Sequence, residues 1–113
     1  MIKSLSIINF ALIKELELIP AMGLNVITGE TGAGKSIMMG ALGLLMGRRA
    51  DSKALWDVSK KCQIEGHFDI SAYELQSFFE THELDYETET IIRREVSPNG
   101  KSRAFINDTP VNL

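Results

Sequence analysis

The sequence predicts an α/β fold in which one strand–loop–helix unit is flanked by an antiparallel β subdomain. The unit is a short apolar strand, residues 24–28, followed by a glycine-rich loop and by an apolar helix from residue 35. The subdomain is indicated by stretches in which apolar and polar residues alternate, the pattern of strands with one exposed face. A chain of 113 residues holds one core, so residues 1–113 are expected to form one domain.

The chain begins with two predicted strands that pair as an antiparallel hairpin. They span residues 2–9 and 13–19, and a turn near residues 10–12 joins them. The second strand alternates leucine with glutamate, so one of its faces should be exposed. Residues 20–23 contain Pro and Gly, which end this strand and lead into the buried strand at residues 24–28.

The loop after residue 28 matches the phosphate-binding pattern Gly, four residues, Gly-Lys-Ser. Its members are Gly29, Glu30, Thr31, Gly32, Ala33, Gly34, Lys35 and Ser36. Glycines let the backbone approach a ligand closely, and the free N–H groups at a helix start attract an anion. Lys35 is expected to reach the β- and γ-phosphates of ATP, and the Ser36 hydroxyl to bind Mg²⁺. Glu30 should face solvent, because a carboxylate turned inwards would repel the phosphates. The alternative is a glycine-rich turn that only caps a buried helix.

The helix after the loop is apolar nearly all round, which predicts that it is buried. Gly40, Gly43 and Gly47 fall on one face of it, and close packing against the sheet would compensate for their cost to the helix. Alternatively, Gly47 is only a C-cap. Arg48 and Arg49 follow the helix end, where the helix dipole favours cations. The functional alternative is that one of them reaches a phosphate or crosses a dimer interface.

The middle of the chain predicts two further helices around a strand. Asp51-Ser52 should cap a short helix that carries Leu55, Trp56 and Val58 and has Lys60-Lys61 at its end. Residues 62–70 show the clearest alternation in the chain. Ser71 and Glu74 have the spacing of a capping box, so a helix with an apolar stripe should start there. The acidic stretch at residues 80–89 is expected to be a solvated loop.

The last part of the chain predicts a β-hairpin with a basic cluster on it. Its strands are residues 90–96 and 101–107, joined by Ser-Pro-Asn-Gly. The cluster consists of Arg93, Arg94, Lys101 and Arg103. It is either an exposed sheet face balanced by Glu95 or a small basic patch for a phosphate backbone.

Composition excludes several classes of protein. With 44% hydrophobic and 24% charged residues, this is an ordinary globular sequence, and its longest apolar run is too short to span a membrane. Cys62 is the only cysteine, so no intrachain disulfide can form and a reducing, cytoplasmic setting is expected. The net charge of −3 gives no sign of bulk nucleic-acid binding. His67 and His82 lack partners at metal-ligand spacing and are expected to be solvated.

The machinery for hydrolysis is not recognisable in these residues. A phosphate-loop hydrolase needs an acidic residue after an apolar strand to hold Mg²⁺, and a group that positions the attacking water. We find neither in the sequence, so no catalytic residue is predicted in this chain. The chain is therefore expected to be the amino-terminal piece of a longer ATPase.

Four separated stretches, in the same order, resemble the bacterial RecN family. They are residues 7–13, 23–36, 91–95 and 102–107. RecN is similar to SMC proteins, whose ABC-type ATPase head is split between the two chain ends and joined by a long coiled coil. The resemblance implies that this chain is the amino-terminal lobe of such a head, with Gly29–Ser36 as its Walker A loop. Arg48 or Arg49 matches a position where related heads carry an arginine near the nucleotide.

The same resemblance implies a set of partners. They are the carboxy-terminal half of the same head, a second head that pairs when ATP is bound, and DNA, in the repair of double-strand breaks at the nucleoid. Two other functions remain open from the residues: a small phosphate-loop kinase, and a nucleotide-gated dimerisation module that does not hydrolyse ATP. Dimerisation under ATP would favour a head over a kinase.

Overall fold

A single antiparallel sheet dominates the described part of the chain, and its strands follow the predicted pattern closely. The computed structural model describes residues 1–29 and 34–113. The strands are β1 (Ile2–Phe10), β2 (Ile13–Leu18), β3 (Cys62–Asp69), β4 (Glu89–Val96), β5 (Ser102–Ile106) and β6 (Thr109–Val111). Their order across the sheet is β2-β1-β3-β4-β5-β6, and each neighbouring pair is antiparallel. The five strands predicted for the β subdomain are therefore confirmed.

The core lies between one face of this sheet and helix α1 (Gly34–Leu45). Strand side chains alternate between faces, so Leu5, Ile7, Ile64 and Val96 all point towards α1 and are buried. The register pairs Ile7 with Ile64 across β1 and β3, which brings these side chains into one layer. The opposite face of the sheet carries charged and polar residues.

Helix α1 ends in a Schellman motif, which is built by Gly47. The Gly47 N–H donates to the carbonyl of Leu44 at 3.2 Å, and the Arg48 N–H donates to the carbonyl of Gly43 at 2.9 Å. Gly47 has a φ of +90°, which an L residue adopts only at a cost, so the C-cap interpretation of this glycine is confirmed. Gly40 faces the ring of Phe10, which a Cβ at this position would meet at 3.4 Å, an ordinary van der Waals distance.

The predicted strand at residues 24–28 is wrong for this structure. These residues have no ladder partner in the described part of the chain, and they adopt no regular secondary structure. Leu24, Val26 and Ile27 are 90%, 74% and 51% exposed. The physical reason is that a strand is held by hydrogen bonds to a neighbouring strand, whereas a helix supplies its own.

Two helix predictions were also wrong in their bounds. The helix expected between Asp51 and Lys61 is only a 3₁₀ turn, Ser52–Ala54, although Asp51 does cap it by accepting from the Lys53 N–H. The capping box at Ser71 does not form, because Asp69 accepts both the backbone N–H and the hydroxyl of Ser71. Ser71–Tyr73 is a 3₁₀ turn, Glu74 is left-handed, and helix α2 runs over Gln76–Thr81.

Strand β6 was missed because it is three residues long and contains Pro110. Its signal was the preceding pair Asn107-Asp108, which forms a tight turn with both φ angles positive (46° and 64°). Asparagine and aspartate tolerate that conformation, and a two-residue turn of this kind joins antiparallel strands. Pro110 fits because β6 is an edge strand.

Candidate phosphate-binding site

The predicted phosphate loop leads directly into the first turn of α1. Gly34, Lys35 and Ser36 are the first three residues of this helix, and all three are exposed. Gly29 lies at the end of the irregular segment that follows β2 and is also exposed. Glu30, Thr31, Gly32 and Ala33 lie outside the described residues, so the predicted solvent-facing position of Glu30 stays a prediction.

The start of α1 has the electrostatics that an anion requires. The first N–H groups of a helix have no partner within it, and the dipole of this 12-residue helix places partial positive charge there. Lys35 adds a full positive charge in the first turn, which contains no acidic residue. Phosphates and a magnesium ion bound to them would therefore fit these residues.

The wall beside the loop is apolar and open. A cavity of about 310 Å³ lies between α1 and the irregular segment, and Leu18, Val26, Met38 and Leu42 are among the side chains that line it. A smaller cavity of about 200 Å³ is lined by Ile27, Lys35, Met38 and Met39. These cavities leave the amino-terminal half of α1 half-buried at most, so the prediction of a fully buried helix is wrong for that half.

The structure does not bring Arg48 and Arg49 to the loop of the same lobe. They follow the carboxyl end of α1, which at 1.5 Å per residue lies about 18 Å from its start. Arg48 turns back along the helix, where a Cβ at Gly43 would come within 2.7 Å of its Cδ atom. Arg49 borders a polar cavity of about 390 Å³ with Asp51 and Gly100. Within one lobe these arginines are therefore remote from Lys35.

The predicted basic patch on the hairpin does not form from Arg93 and Arg94. Arg93 lies on the charged face of the sheet, where its guanidinium is 2.9 Å from Asp108 and stacks 4.4 Å above the ring of Phe105. Arg94 lies on the opposite face and is buried. Lys101 and Arg103 remain exposed. For Arg93 the balanced sheet face is the correct alternative, with Glu95 3.7 Å away.

His67 is held between two carboxylates and is not simply solvated as predicted. Its Nε2 atom is 2.9 Å from Glu65 and its Nδ1 atom is 3.3 Å from Glu89. Carboxylates only accept hydrogen bonds, so the protonated ring satisfies both of them. The hydrogen bond that His67 donates to Glu65 is the main cause that raises the pKa of His67 above its ordinary value. His82 is exposed and contacts the carbonyl of Phe78 at 2.8 Å.

Two buried polar residues with structural roles were missed by the sequence analysis. Asn9 has a φ of 57° and donates from its amide to the carbonyls of Asp57, Lys60 and Lys61. It thereby fixes the segment between α1 and β3. Arg94 was missed although it is in phase with the buried residues Thr90 and Val96, and that phase was the available signal.

Comparison with known protein families gives one match that covers nearly the whole chain. Residues 4–112 match the family described as AAA domain. Among the described residues, none of the helices is long and apolar enough to cross a membrane.

Named relatives match the chain along its whole length. It is 41% identical to a DNA repair protein RecN of Haemophilus influenzae over 99% of the chain, and 43% identical to that of Vibrio cholerae over 100%. In both cases the match covers 21% of the relative, so the chain spans about a fifth of the length of these proteins. The resemblance to RecN is thus confirmed over nearly the whole chain.

Two solved structures share the fold. One comes from work on ATP-driven dimerisation and DNA-stimulated activation of SMC ATPases. It superposes with a TM-score of 0.76 over 98% of this chain and 72% of its own, at 21% identity. The other is the recombination mediator RecF bound to an ATP analogue, with a TM-score of 0.74 over 100% of this chain and 28% of its own, at 21% identity. The predicted class, a phosphate-loop NTPase of the ABC/SMC head type with an antiparallel β subdomain, is confirmed.

Proposed function

This chain belongs to the AAA domain family that its sequence matches over residues 4–112, and from that premise we propose that it binds ATP. The observation that carries the proposal is the Gly29–Ser36 pattern at the start of α1, in an exposed first turn that holds a lysine and no acidic residue. A phosphate group is the ligand that such a helix start binds best, because N–H groups, dipole and lysine all favour negative charge.

The loop residues have three tasks in the proposed complex. The backbone N–H groups of residues 29–34 surround the phosphates, which glycines permit by leaving room for close approach. Lys35 places its ammonium group against the β- and γ-phosphates. The Ser36 hydroxyl would hold Mg²⁺ bound to the phosphates. When bound, that ion neutralises phosphate charge.

We further propose that a carboxy-terminal segment of the same polypeptide completes the head. Residues 24–28 are β-prone and apolar, yet they are exposed and lack a ladder partner in the described part of the chain. A contiguous apolar surface of this kind is typical of a protein interface. The sequence also lacks the acidic and water-positioning residues of a hydrolase, so ATP hydrolysis is proposed for the completed head and not for this lobe alone.

The wider role that we propose is based on the proteins to which this chain is similar. RecN proteins are named for DNA repair, and the SMC work concerns dimerisation driven by ATP and activation by DNA. We propose that two completed heads pair when ATP is bound, that the cycle acts on DNA in double-strand break repair, and that the protein works in the cytoplasm at the nucleoid. Arg48 or Arg49 is proposed to approach the nucleotide held by the facing head. The comparisons give no support to a small kinase or to a dimerisation module without hydrolysis.

Binding of MgATP to wild-type and variant chains tests the site. Lys35→Ala removes the proposed phosphate contact and should weaken MgATP binding by at least about tenfold. The control is Lys101→Ala, which removes an exposed lysine from the hairpin and should change the affinity by less than about twofold. Equal affinities of the wild-type and Lys35→Ala chains would overturn the assignment.

A second experiment tests the split head. ATP turnover is measured for this chain alone and after mixing with the carboxy-terminal segment of the natural polypeptide. No ATP turnover by this chain alone, followed by turnover after mixing, supports a head built from two halves. Turnover by this chain alone would mean that a catalytic acid lies within these 113 residues.

A further inference from the structure

Arg94 carries a positive charge into the core, and the proposed nucleotide contacts do not use it. Its side chain is 2% exposed and lies on the face of β4 that α1 covers. Among residues 1–29 and 34–113, no carboxylate lies within ion-pair distance of its guanidinium. Burial lowers the pKa of Arg94 from its ordinary value, although an arginine side chain stays charged in proteins. A buried charge without an acidic partner is costly, so its contacts call for a physical reason.

The contacts of Arg94 converge on the carboxyl end of α1. Its Nη1 atom donates to the carbonyl of Leu44 at 2.9 Å and to the carbonyl of Arg48 at 3.3 Å. Its Nε atom donates to the hydroxyl of Ser102 at 2.7 Å, on the neighbouring strand β5. The guanidinium thus links two strands of the sheet to the negative end of the helix dipole, where the Leu44 carbonyl also accepts from the Gly47 N–H.

Helix α1 is held mainly at this end. Its buried residues are Ala41, Gly43 and Leu44, whereas Gly34, Lys35 and Ser36 at its start are exposed. The position of the first turn therefore depends on how the last turns are fixed. The helix is about 18 Å long, so a tilt of about 5° at the anchored end would move the first turn by about 1.5 Å. A displacement of that size is enough to spoil phosphate contacts.

We propose that Arg94 is a positioning residue for nucleotide binding, which aligns the first turn of α1 by fixing its last turn to the sheet. The inference rests on the proposed ATP site and adds a residue that does not touch the ligand. The same guanidinium holds the carbonyl of Arg48, so it also fixes the start of the segment that carries Arg48 and Arg49. Direct phosphate contact by Arg94 itself is excluded by its burial beneath the helix.

The geometry explains why an arginine stands here and not an apolar residue. A methionine would fill similar space and avoid desolvation of a charge, and such replacements often do not destabilise a core. It could not, however, donate to two carbonyls and a hydroxyl at once. The planar guanidinium has donors in a fixed fork, so it sets both distance and direction between sheet and helix.

Three variants separate positioning from stability. Arg94→Met removes the donors and keeps the volume, and Arg94→Lys keeps the charge without the fork. Ile64→Val is a control that weakens the same core at the cross-strand neighbour of Arg94 without removing a hydrogen-bond donor. Each chain is measured for MgATP affinity, for its unfolding midpoint in urea, and for hydrogen exchange of the amides in the last turn of α1 and in strand β3.

Arg94→Met should bind MgATP at least about tenfold more weakly than wild type, with faster exchange in the last turn of α1 and unchanged exchange in β3. Arg94→Lys should recover part of that affinity. The MgATP affinity of Ile64→Val should stay within about twofold of wild type, even if its unfolding midpoint in urea falls as far as that of Arg94→Met. If Arg94→Met does not fold, Arg94→Lys decides, with at least about threefold weaker binding expected.

The inference is overturned if the folded Arg94 variant binds MgATP as the Ile64→Val control does, or if exchange rises equally in α1 and β3. A wild-type chain that does not bind MgATP at all overturns the proposed function instead, so the two failures are distinguishable. Tenfold weaker binding in Ile64→Val would also contradict the inference, because affinity would then follow core stability alone.

Discussion

The two halves of α1 differ in how they are packed, although both are apolar in sequence. Ala41 and Leu44, near the carboxyl end, are buried against the sheet. Met39, on the amino-terminal half, is 62% exposed, and the neighbouring residues Leu24 and Val26 are more exposed still. The end of the helix thus packs on the antiparallel sheet, whereas on the phosphate-loop side the described residues leave apolar surface exposed.

The same helix therefore buries its apolar surface against the sheet at one end and leaves it exposed beside the proposed ligand site at the other. Hydrophobic burial stabilises the sheet side, at about 25 cal/mol for each Å² of apolar surface removed from water. On the phosphate-loop side the same kind of surface remains in water. Four experiments that compare the sheet side with the phosphate-loop side or the charged face test this contrast.

The reactivity of two thiols should differ most. Cys62 is 1% exposed, and burial raises the pKa of its thiol to about 11. In a Leu24→Cys variant at pH 7.5, the new thiol should react with a thiol reagent at least about 1,000 times faster than Cys62, which must wait for the core to open. Both thiols should react at similar rates in denaturant. Similar rates in the folded chain would show that the sheet core is not closed.

Truncation of a side chain on each side should have unequal effects on stability. Ile64→Ala leaves a hole in the core and should lower the free energy of unfolding by about 3 kcal/mol. Val26→Ala, at a residue that is 74% exposed, should lower it by less than about 0.5 kcal/mol. Urea unfolding measures both. A large loss in Val26→Ala would mean that residues 24–28 already pack within this chain.

Asn9 and Asn25 make similar hydrogen bonds to the backbone, but only Asn9 is buried. Asn9 is buried, accepts from the Asp57 N–H and has a φ of 57°, so Asn9→Ala should cost about 2 kcal/mol of unfolding free energy. Asn25 bonds the backbone N–H and carbonyl of Ala21 but is exposed, so Asn25→Ala should cost less than about 0.5 kcal/mol because water replaces its bonds. Urea unfolding would contradict this contrast if the two losses were equal.

The smallest effect should come from the charged face of the sheet. The pKa of His67 is raised in the folded chain, so its contribution to stability is fully present below about pH 6.5 and is lost as the pH rises through the higher folded pKa. The change should stay below about 1 kcal/mol, because the side chain is 28% exposed. Unfolding free energies at pH 6 and pH 8 measure it, and His67→Gln should reduce the loss. An unaltered loss in that variant would assign it to another group.

The strands were predictable because each buries one face. Alternation along residues 62–70 and 90–96 is written into the sequence, and the observed β3 and β4 follow it within a residue or two at each end. The same alternation places Arg94 on the core face and Arg93 on the other. The prediction of one basic cluster put both arginines together, whereas the structure places them on opposite faces of the sheet.

Local signals failed where a competing neighbour was available. Ser71 has a glutamate at the spacing of a capping box, but Asp69 lies two residues before it and accepts its hydroxyl at 2.7 Å. Both motifs are local hydrogen bonds of comparable strength, so sequence spacing does not decide between them. The histidine at residue 67 is a similar case, because Glu89 reaches it from an adjacent strand 22 residues away.

Residue type and short-range spacing were enough to predict five of the six strands in the described residues, the helix that begins within Gly29–Ser36 and the chemistry expected at its start. Only the tertiary structure decided which half of α1 is buried, that residues 24–28 lack a ladder partner in the described lobe, and that Arg94 joins the sheet to the helix end. Those features depend on contacts between segments far apart in the chain. Such contacts follow from how the apolar faces pack together, which no local pattern specifies.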